Sequence, residues 1–180
     1  YVKDFKNNGG KVIGVCYSQV PVFEAYHAAG MLGVRLRANE ISNMSIGDAY
    51  YGPVLCSFPK GLLQMAGQGK LKFLDGLITS TLCDTMRRLD DCWRKAATDI
   101  DGIMPEYHKL FAVPHKNHDF NIEWFAEELR QHIGEIEAHF NVTVDNDKLW
   151  AAISLYNEAR DLLRKFDQIR GNSKVPISGA

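Results

Sequence analysis

The stretch that decides the fold class is short and lies near the start of the chain: Lys11-Val12-Ile13-Gly14-Val15-Cys16. The turn sequence Asn7-Asn8-Gly9-Gly10 precedes this β-branched run, so the run predicts a buried strand. A helix is predicted over residues 21–29, because proline suits a first helical turn and Gly30 can end the helix. A second strand follows over residues 32–37. A strand, a helix and a strand within about thirty residues indicate a βαβ unit.

The same alternation continues to residue 114. Helices are predicted over residues 59–67 and 85–97, with Asp84 as the N-cap of the second helix. Strands are predicted over residues 74–79 and 110–114. Alternating strands and helices are typical of an α/β layer with a largely parallel sheet.

The pattern changes after residue 120, where apolar residues recur at spacings of three and four. This periodicity predicts two long helices, which we expect to form an antiparallel hairpin packed on the α/β core. The predicted organisation is an α/β domain over residues 1–120 and a helical hairpin over residues 121–180. We also expect the chain to be a piece of a longer protein, with residues near 180 starting a linker to a second domain.

Composition and charge exclude several classes of protein. The chain has 180 residues, 21 Lys and Arg against 22 Asp and Glu, and 46% hydrophobic residues. A nearly neutral chain lacks the basic surface of a nucleic-acid binder, and this apolar content does not fit a disordered chain. The apolar stretches are much shorter than the roughly 20 residues that span a bilayer.

Four cysteines carry the chemistry that the sequence suggests. They are too few and too scattered for a disulfide framework, and no secretion signal is recognised, so we expect reduced thiols. Cys16, Cys56 and Cys83 are each predicted in a turn after a strand or before a helix, where parallel α/β sheets bind ligands. Thiolates so placed suit a soft metal centre. Burial as ordinary core residues is the alternative, and we expect it for Cys92 in the middle of a helix.

Several segments of the chain form a recognisable set. They are Gly14-Val15-Cys16-Tyr17-Ser18-Gln19-Val20-Pro21, Glu24, His27-Ala28-Ala29-Gly30-Met31-Leu32, Val34-Arg35-Leu36, Leu55-Cys56-Ser57-Phe58-Pro59-Lys60-Gly61, Asp75-Gly76-Leu77-Ile78, Leu82-Cys83-Asp84-Thr85-Met86-Arg87-Arg88-Leu89, Val113-Pro114-His115-Lys116 and Pro176-Ile177-Ser178-Gly179. Together they resemble the 2-hydroxyacyl-CoA dehydratase and benzoyl-CoA reductase family over nearly all of the chain.

The resemblance implies a Rossmann-like, three-layer α/β domain with added helices. It implies an iron–sulfur cluster of the four-iron, 4Fe-4S kind, held by Cys56 and Cys83, with Cys16 as a further candidate ligand. It also implies that Ser18 and Glu24 lie at the substrate region and are candidate catalytic residues. The implied reaction is one-electron reduction of an acyl-CoA thioester that leads to loss of water.

The resemblance further implies a set of partners. These are an acyl-CoA substrate, a second homologous subunit in a heterodimer, and an ATP-dependent iron–sulfur activator protein. The implied setting is anaerobic metabolism in the cytoplasm, without nucleic acid or membrane. We expect the piece alone to be inactive, because the family takes a further cysteine ligand from a second α/β domain.

Other functions remain open at this point. The same domain serves benzoyl-CoA reductases, in which the electrons enter an aromatic ring. A non-catalytic scaffold subunit would keep the fold without the cluster, and its three candidate cysteines would be buried and distant from one another. A plain thiol-binding or CoA-binding module is a further alternative.

Overall fold

A computed structural model describes residues 1–16, 22–39 and 41–171 of the chain. Strands and helices alternate through the first part, and two long helices follow. The elements are α1 (Val2–Asn7), β1 (Val12–Val15), α2 (Phe23–Ala28), β2 (Leu32–Arg35), α3 (Ser45–Tyr50), α4 (Ser57–Gly67), β3 (Gly76–Ser80), α5 (Asp84–Asp99), β4 (Tyr107–Phe111), α6 (Asp119–Phe140) and α7 (Asn146–Arg170).

The four strands form one parallel sheet in the order β2-β1-β3-β4. In β1, Ile13 pairs with Gly33 on one side and with Gly76 on the other. The chain therefore places β2 beside β1 and then crosses to β3 on the other side of β1. In such a sheet the carboxyl ends of the two central strands form the crevice where ligands bind.

Helices cover both faces of the sheet, which confirms the three-layer α/β fold. On one face, Val12 and Leu77 pack with Leu62 from α4 and with Leu89 and Trp93 from α5. The core of the other face contains the following buried residues of the sheet, α2 and α6: Ile13, Val15, Val22, Tyr26, Met31, Ile78, Tyr107, Phe111 and Ile136. Nonpolar burial on both faces explains why β1 and β3 read as continuous apolar runs rather than as alternating ones.

The two long predicted helices are present, and each packs against the core: α6 against α2 and β4, and α7 against α2. His132 of α6 is fully buried between the hydroxyls of Tyr26 and Tyr107, at 2.7 Å and 3.2 Å from its ring nitrogens. Helix α7 packs against α2, where Ala152 is buried. None of the helices in the described ranges is long and apolar enough to cross a membrane.

Local predictions differ from the structure in a few places. The N-cap of α5 is Cys83 rather than Asp84, because Cys83 has extended backbone angles while Asp84 is already helical. Strand β4 begins at Tyr107, three residues before the predicted strand. The polar residues His108 and Lys109 interrupt the apolar pattern of this strand, so the pattern does not reveal where the strand begins. Both side chains are paired within the fold, His108 with buried Asp90 and Lys109 with half-buried Glu135. Helices α1 and α3 have six residues each, too few to show a helical period.

Candidate metal centre

Two of the candidate cysteines lie at the carboxyl edge of the central strands. Cys16 directly follows β1, and its backbone N–H donates to the carbonyl of Ile78 at 3.0 Å. Cys83 lies three residues beyond the end of β3. The strand order therefore brings Cys16 and Cys83 to the crevice that the parallel sheet predicts.

Cys56 and Cys83 occupy equivalent positions at two helix starts. Cys56 is the N-cap of α4 and Cys83 is the N-cap of α5, and both have extended backbone angles. Neither side chain makes a capping hydrogen bond, and both residues are exposed. The first N–H groups of each helix have no acceptor within the helix. Their partial positive charge stabilises negative charge on a sulfur at the N-cap.

Tyr51 belongs to the same core cluster as Cys16 and Cys92, and sequence reasoning missed it. Its ring is buried in the core between the sheet and α5, and its hydroxyl donates to the carbonyl of Thr85 at 2.8 Å. Burial raises the pKa of this hydroxyl. The core cluster that contains Tyr51 also contains Cys16, and Cys92 packs against it.

Cys16 and Cys92 differ from the exposed pair. Cys16 is fully buried, and burial together with the charge of Asp90 raises the pKa of its thiol. Cys92 is half-buried on α5, where its thiol donates to the carbonyl of Tyr50 at 3.2 Å. Burial and Asp91 raise the pKa of the Cys92 thiol. Metal ligands are thiolates, so these two neutral thiols are less suited to ligation than the exposed pair.

The donor set fits part of an iron–sulfur site. Two exposed thiols at helix starts can each supply an anionic sulfur ligand. Within residues 1–16, 22–39 and 41–171, no three His, Cys, Asp or Glu side chains are grouped so that they could hold a metal ion. Since a four-iron cluster takes four cysteine ligands, the remaining ligands would have to come from outside these residues.

The two candidate catalytic residues lie in or beside the segment after β1. Ser18 lies outside the described residues, so its role stays a prediction. Glu24, in the first turn of α2, is buried, and its Oε1 accepts from the Nη2 of Arg160 in α7. Glu24 also lines a mainly apolar cavity of about 460 Å³ between α2, α6 and α7. The catalytic role of Glu24 remains a prediction. In the structure its carboxylate is paired with the guanidinium of Arg160.

Asp90 of α5 links this helix to strands β3 and β4. Its Oδ1 accepts from the Thr79 hydroxyl at 2.7 Å and lies 2.8 Å from Nε2 of His108, and its Oδ2 accepts from Arg94 at 2.8 Å. Burial alone would raise the pKa of this carboxyl, but the hydrogen bonds from His108, Arg94 and Thr79 outweigh burial and hold the pKa well below its usual range. The helix that starts at Cys83 is thereby tied to two neighbouring strands.

Comparison with known proteins agrees with the resemblance seen in the sequence. Residues 18–180 match the model of a family described as 2-hydroxyglutaryl-CoA dehydratase, D-component. The chain is 29% identical over 171 residues to one of the subunits of benzoyl-CoA reductase from Thauera aromatica, an alignment that covers 92% of this chain and 42% of that protein.

Two dehydratase subunits are similar at comparable levels. The chain is 28% identical over 162 residues to the beta subunit of (R)-2-hydroxyglutaryl-CoA dehydratase from Acidaminococcus fermentans, covering 90% of this chain and 41% of that subunit. It is 24% identical over 170 residues to the beta subunit of lactoyl-CoA dehydratase from Anaerotignum propionicum, covering 92% and 42%. The chain therefore spans less than half the length of these relatives.

Proposed function

Because the chain belongs to the 2-hydroxyglutaryl-CoA dehydratase D-component family, we propose that it forms a cysteine-bearing α/β part of a 2-hydroxyacyl-CoA dehydratase-type subunit. The observation that carries this proposal is the pair of exposed thiols, Cys56 and Cys83, each at the uncapped start of a helix. Relatives whose names specify subunits support a partner subunit. The proposed substrate class is an acyl-CoA thioester that loses water after one-electron reduction.

In this proposal Cys56 and Cys83 hold an iron–sulfur cluster, while Cys16 stays in the core. When bound, the cluster would supply the electron for reduction of the thioester carbonyl. The protein's own residues stabilise the charge on the sulfurs: the free N–H groups of α4 and α5 point toward the two N-caps. Tyr51 is buried, and its hydroxyl bonds the first turn of α5 next to the Cys83 N-cap. We also propose that an ATP-dependent activator protein donates the electron to this cluster.

Metal analysis of the complex of this protein with its partner subunit, purified without oxygen, tests the ligand pair. We expect iron and acid-labile sulfide in similar amounts, with visible charge-transfer absorbance. Changing Cys56→Ala or Cys83→Ala should remove most of that absorbance, because each change deletes one thiolate ligand. Cys92→Ser is the matched control, because a hydroxyl can keep the hydrogen bond to the Tyr50 carbonyl while the thiol is lost, and this variant should leave the spectrum unchanged. Equal iron content in all variants would contradict the proposal.

A benzoyl-CoA reductase-type subunit is the second candidate function. It is favoured by the similarity to the Thauera aromatica protein, which covers 92% of this chain. Assaying the intact complex with a hydroxyacyl-CoA and with benzoyl-CoA distinguishes the two reactions. Loss of water from the first thioester supports the dehydratase, whereas reduction of the aromatic ring of the second supports the reductase. A complex without iron that converts neither substrate would favour the scaffold subunit.

A further inference from the structure

Helix α3 contacts both helices whose N-caps carry the exposed thiols, and these two helices also contact each other. At its start, the backbone N–H groups of Ile46 and Gly47 donate to Oε1 of Gln64 in α4, at 2.8 Å and 3.3 Å. Lys60 of α4 also forms an ion pair with Asp48 of α3 at 2.8 Å. These contacts fix the beginning of α3 to the helix that starts after Cys56.

The end of α3 attaches to the other helix, α5. The Cys92 thiol donates to the carbonyl of Tyr50 at 3.2 Å, and the Tyr51 hydroxyl donates to the carbonyl of Thr85 at 2.8 Å. Thr85 lies two residues after Cys83, in the first turn of α5. On the other side of Tyr51, the chain runs through only four residues before it reaches Cys56. The Tyr51–Thr85 hydrogen bond is thus a direct link between the segments that carry the two thiols.

We propose that Tyr51 is a positioning residue, whose hydrogen bond to the Thr85 carbonyl sets the spacing of Cys56 and Cys83. This inference rests on the proposed function, in which the two sulfurs act together. A phenol suits the role because its ring is held in the core while its hydroxyl reaches the start of α5. The aromatic ring alone would fill the same space but would lack this hydrogen bond to α5, while the hydrogen bond from Cys92 to the Tyr50 carbonyl would remain.

A trivalent arsenical tests the spacing without iron or substrate. Phenylarsine oxide forms one arsenic–sulfur bond with each of two nearby thiols, and the two thiol protons leave with the oxide oxygen as water. We expect a bridged adduct on Cys56 and Cys83 in the wild-type protein, identified by mass spectrometry after digestion. In Tyr51→Phe its affinity should fall about fivefold, which equals about 1 kcal/mol and matches one lost hydrogen bond.

Tyr50→Phe is the matched control, because the Tyr50 hydroxyl instead bonds the exposed Asp99 at 3.1 Å. It should leave the arsenical affinity at the wild-type value. Alkylation by N-ethylmaleimide, which needs only one thiol, should proceed at wild-type rates at Cys56 and Cys83 in both variants. A spacing effect therefore weakens the two-thiol reaction and leaves the one-thiol reactions unchanged.

Three outcomes would contradict these ideas in different ways. An unchanged arsenical affinity in Tyr51→Phe overturns the positioning role. A weaker affinity accompanied by alkylation of the buried Cys16 shows that the core has opened, and this also overturns the positioning role in favour of a merely structural one. Absence of the bridged adduct in the wild-type protein contradicts the ligand pair of the proposed function itself.

Discussion

The carboxylate of Glu24 is buried, and an ion pair with Arg160 compensates only one of its oxygens. Oε1 bonds the guanidinium, while Oε2 is buried without a hydrogen-bond partner among the residues that the structure describes. The Arg160 side chain is 42% exposed, so solvent screens the pair on one side. A buried carboxylate whose cation is removed keeps its desolvation cost and loses the compensation.

Changing Arg160→Ala should therefore lower the free energy of unfolding by about 1–2 kcal/mol, less than for a fully buried pair because of the screening. Adding Glu24→Gln to that variant should restore part of the loss, since the neutral amide is cheaper to bury. Arg164→Ala is the control, because Arg164 pairs with the exposed Asp161 and should cost less than about 0.5 kcal/mol. Urea unfolding of the wild-type protein, the two single variants Arg160→Ala and Glu24→Gln, the double variant and the Arg164→Ala control measures these effects. Additive effects of the two single changes would show that the pair is not coupled.

Single residues also show where sequence reasoning stops. The positions of Cys56 and Cys83 before helices could be predicted, because turn residues and helical periods mark those boundaries locally. Tyr51 could not, since its partner Thr85 lies 34 residues away and no pattern links them. No local pattern marks Asp90 as a buried residue either, yet it is buried against Thr79 and His108 from two strands. Both misses involve contacts that only the folded sheet creates.

Helix α3 approaches α4 so closely that only glycine fits at the crossing. A Cβ atom added to Gly47 would lie 2.4 Å from the backbone carbonyl oxygen of Lys60. Backbone atoms cannot move aside as a flexible side chain can, so the helices would have to separate.

We predict that Gly47→Ala destabilises the protein by about 2 kcal/mol, as overpacking in a core does. Gly134→Ala is the contrasting case, because a Cβ added at this position in α6 meets nothing within 4 Å. It should stabilise the protein by up to about 1 kcal/mol through higher helix propensity. Thermal unfolding of both variants measures the difference, and equal shifts would show that α3 and α4 can separate at little cost.

At this scale the sequence predicted the long elements well and the short ones poorly. Helices α4 and α5 span several turns, so their apolar residues repeat often enough to reveal a helical face. Six-residue α3 has no such repeat, although it contacts both cysteine-bearing helices. The predicted strand at residues 110–114 begins three residues after the start of β4. The reason is that His108 and Lys109 are polar residues, which pair with side chains of α5 and α6.

The stability of the whole molecule should depend on pH through His132, which joins α6 to both α2 and β4. Burial and the charge of Lys109 lower the pKa of His132 to about 4, with Glu135 acting in the opposite direction. In the unfolded chain the same imidazole titrates at a pKa near 6.5. Between these two values the unfolded state binds more protons than the folded state, so stability rises with pH.

We therefore expect the free energy of unfolding to fall by about 3 kcal/mol from this residue alone as the pH drops from about 6.5 to 4. In His132→Gln the decline over this range should be much shallower, whatever the stability of the variant at neutral pH. His115→Gln, in the exposed loop after β4, should keep the wild-type slope. Denaturant unfolding at several pH values measures these slopes, and a wild-type slope in His132→Gln would exclude His132 as the cause.

The architecture as a whole could be predicted from the sequence, because alternating buried runs and amphipathic periods determine an α/β layer. The order of the strands could not, since it depends on which of several similar apolar runs pair. That order decides which turns share an edge, and so it places the segments after β1 and β3, which carry Cys16 and Cys83, at the same edge of the sheet. Cys16 is buried there, whereas Cys83 is exposed.

The pairing of β1 with β3 also bears on when a metal centre of the proposed kind could be inserted. Ile13 pairs with Gly76, 63 residues further along the chain, so the central ladder closes a long loop. Such nonlocal pairing forms more slowly than isolated helical turns. We therefore expect the helix starts at Cys56 and Cys83 to reach their final positions only after this pairing has formed. Any inorganic centre built on Cys56 and Cys83 would have to be inserted after β3 has been synthesised and has docked.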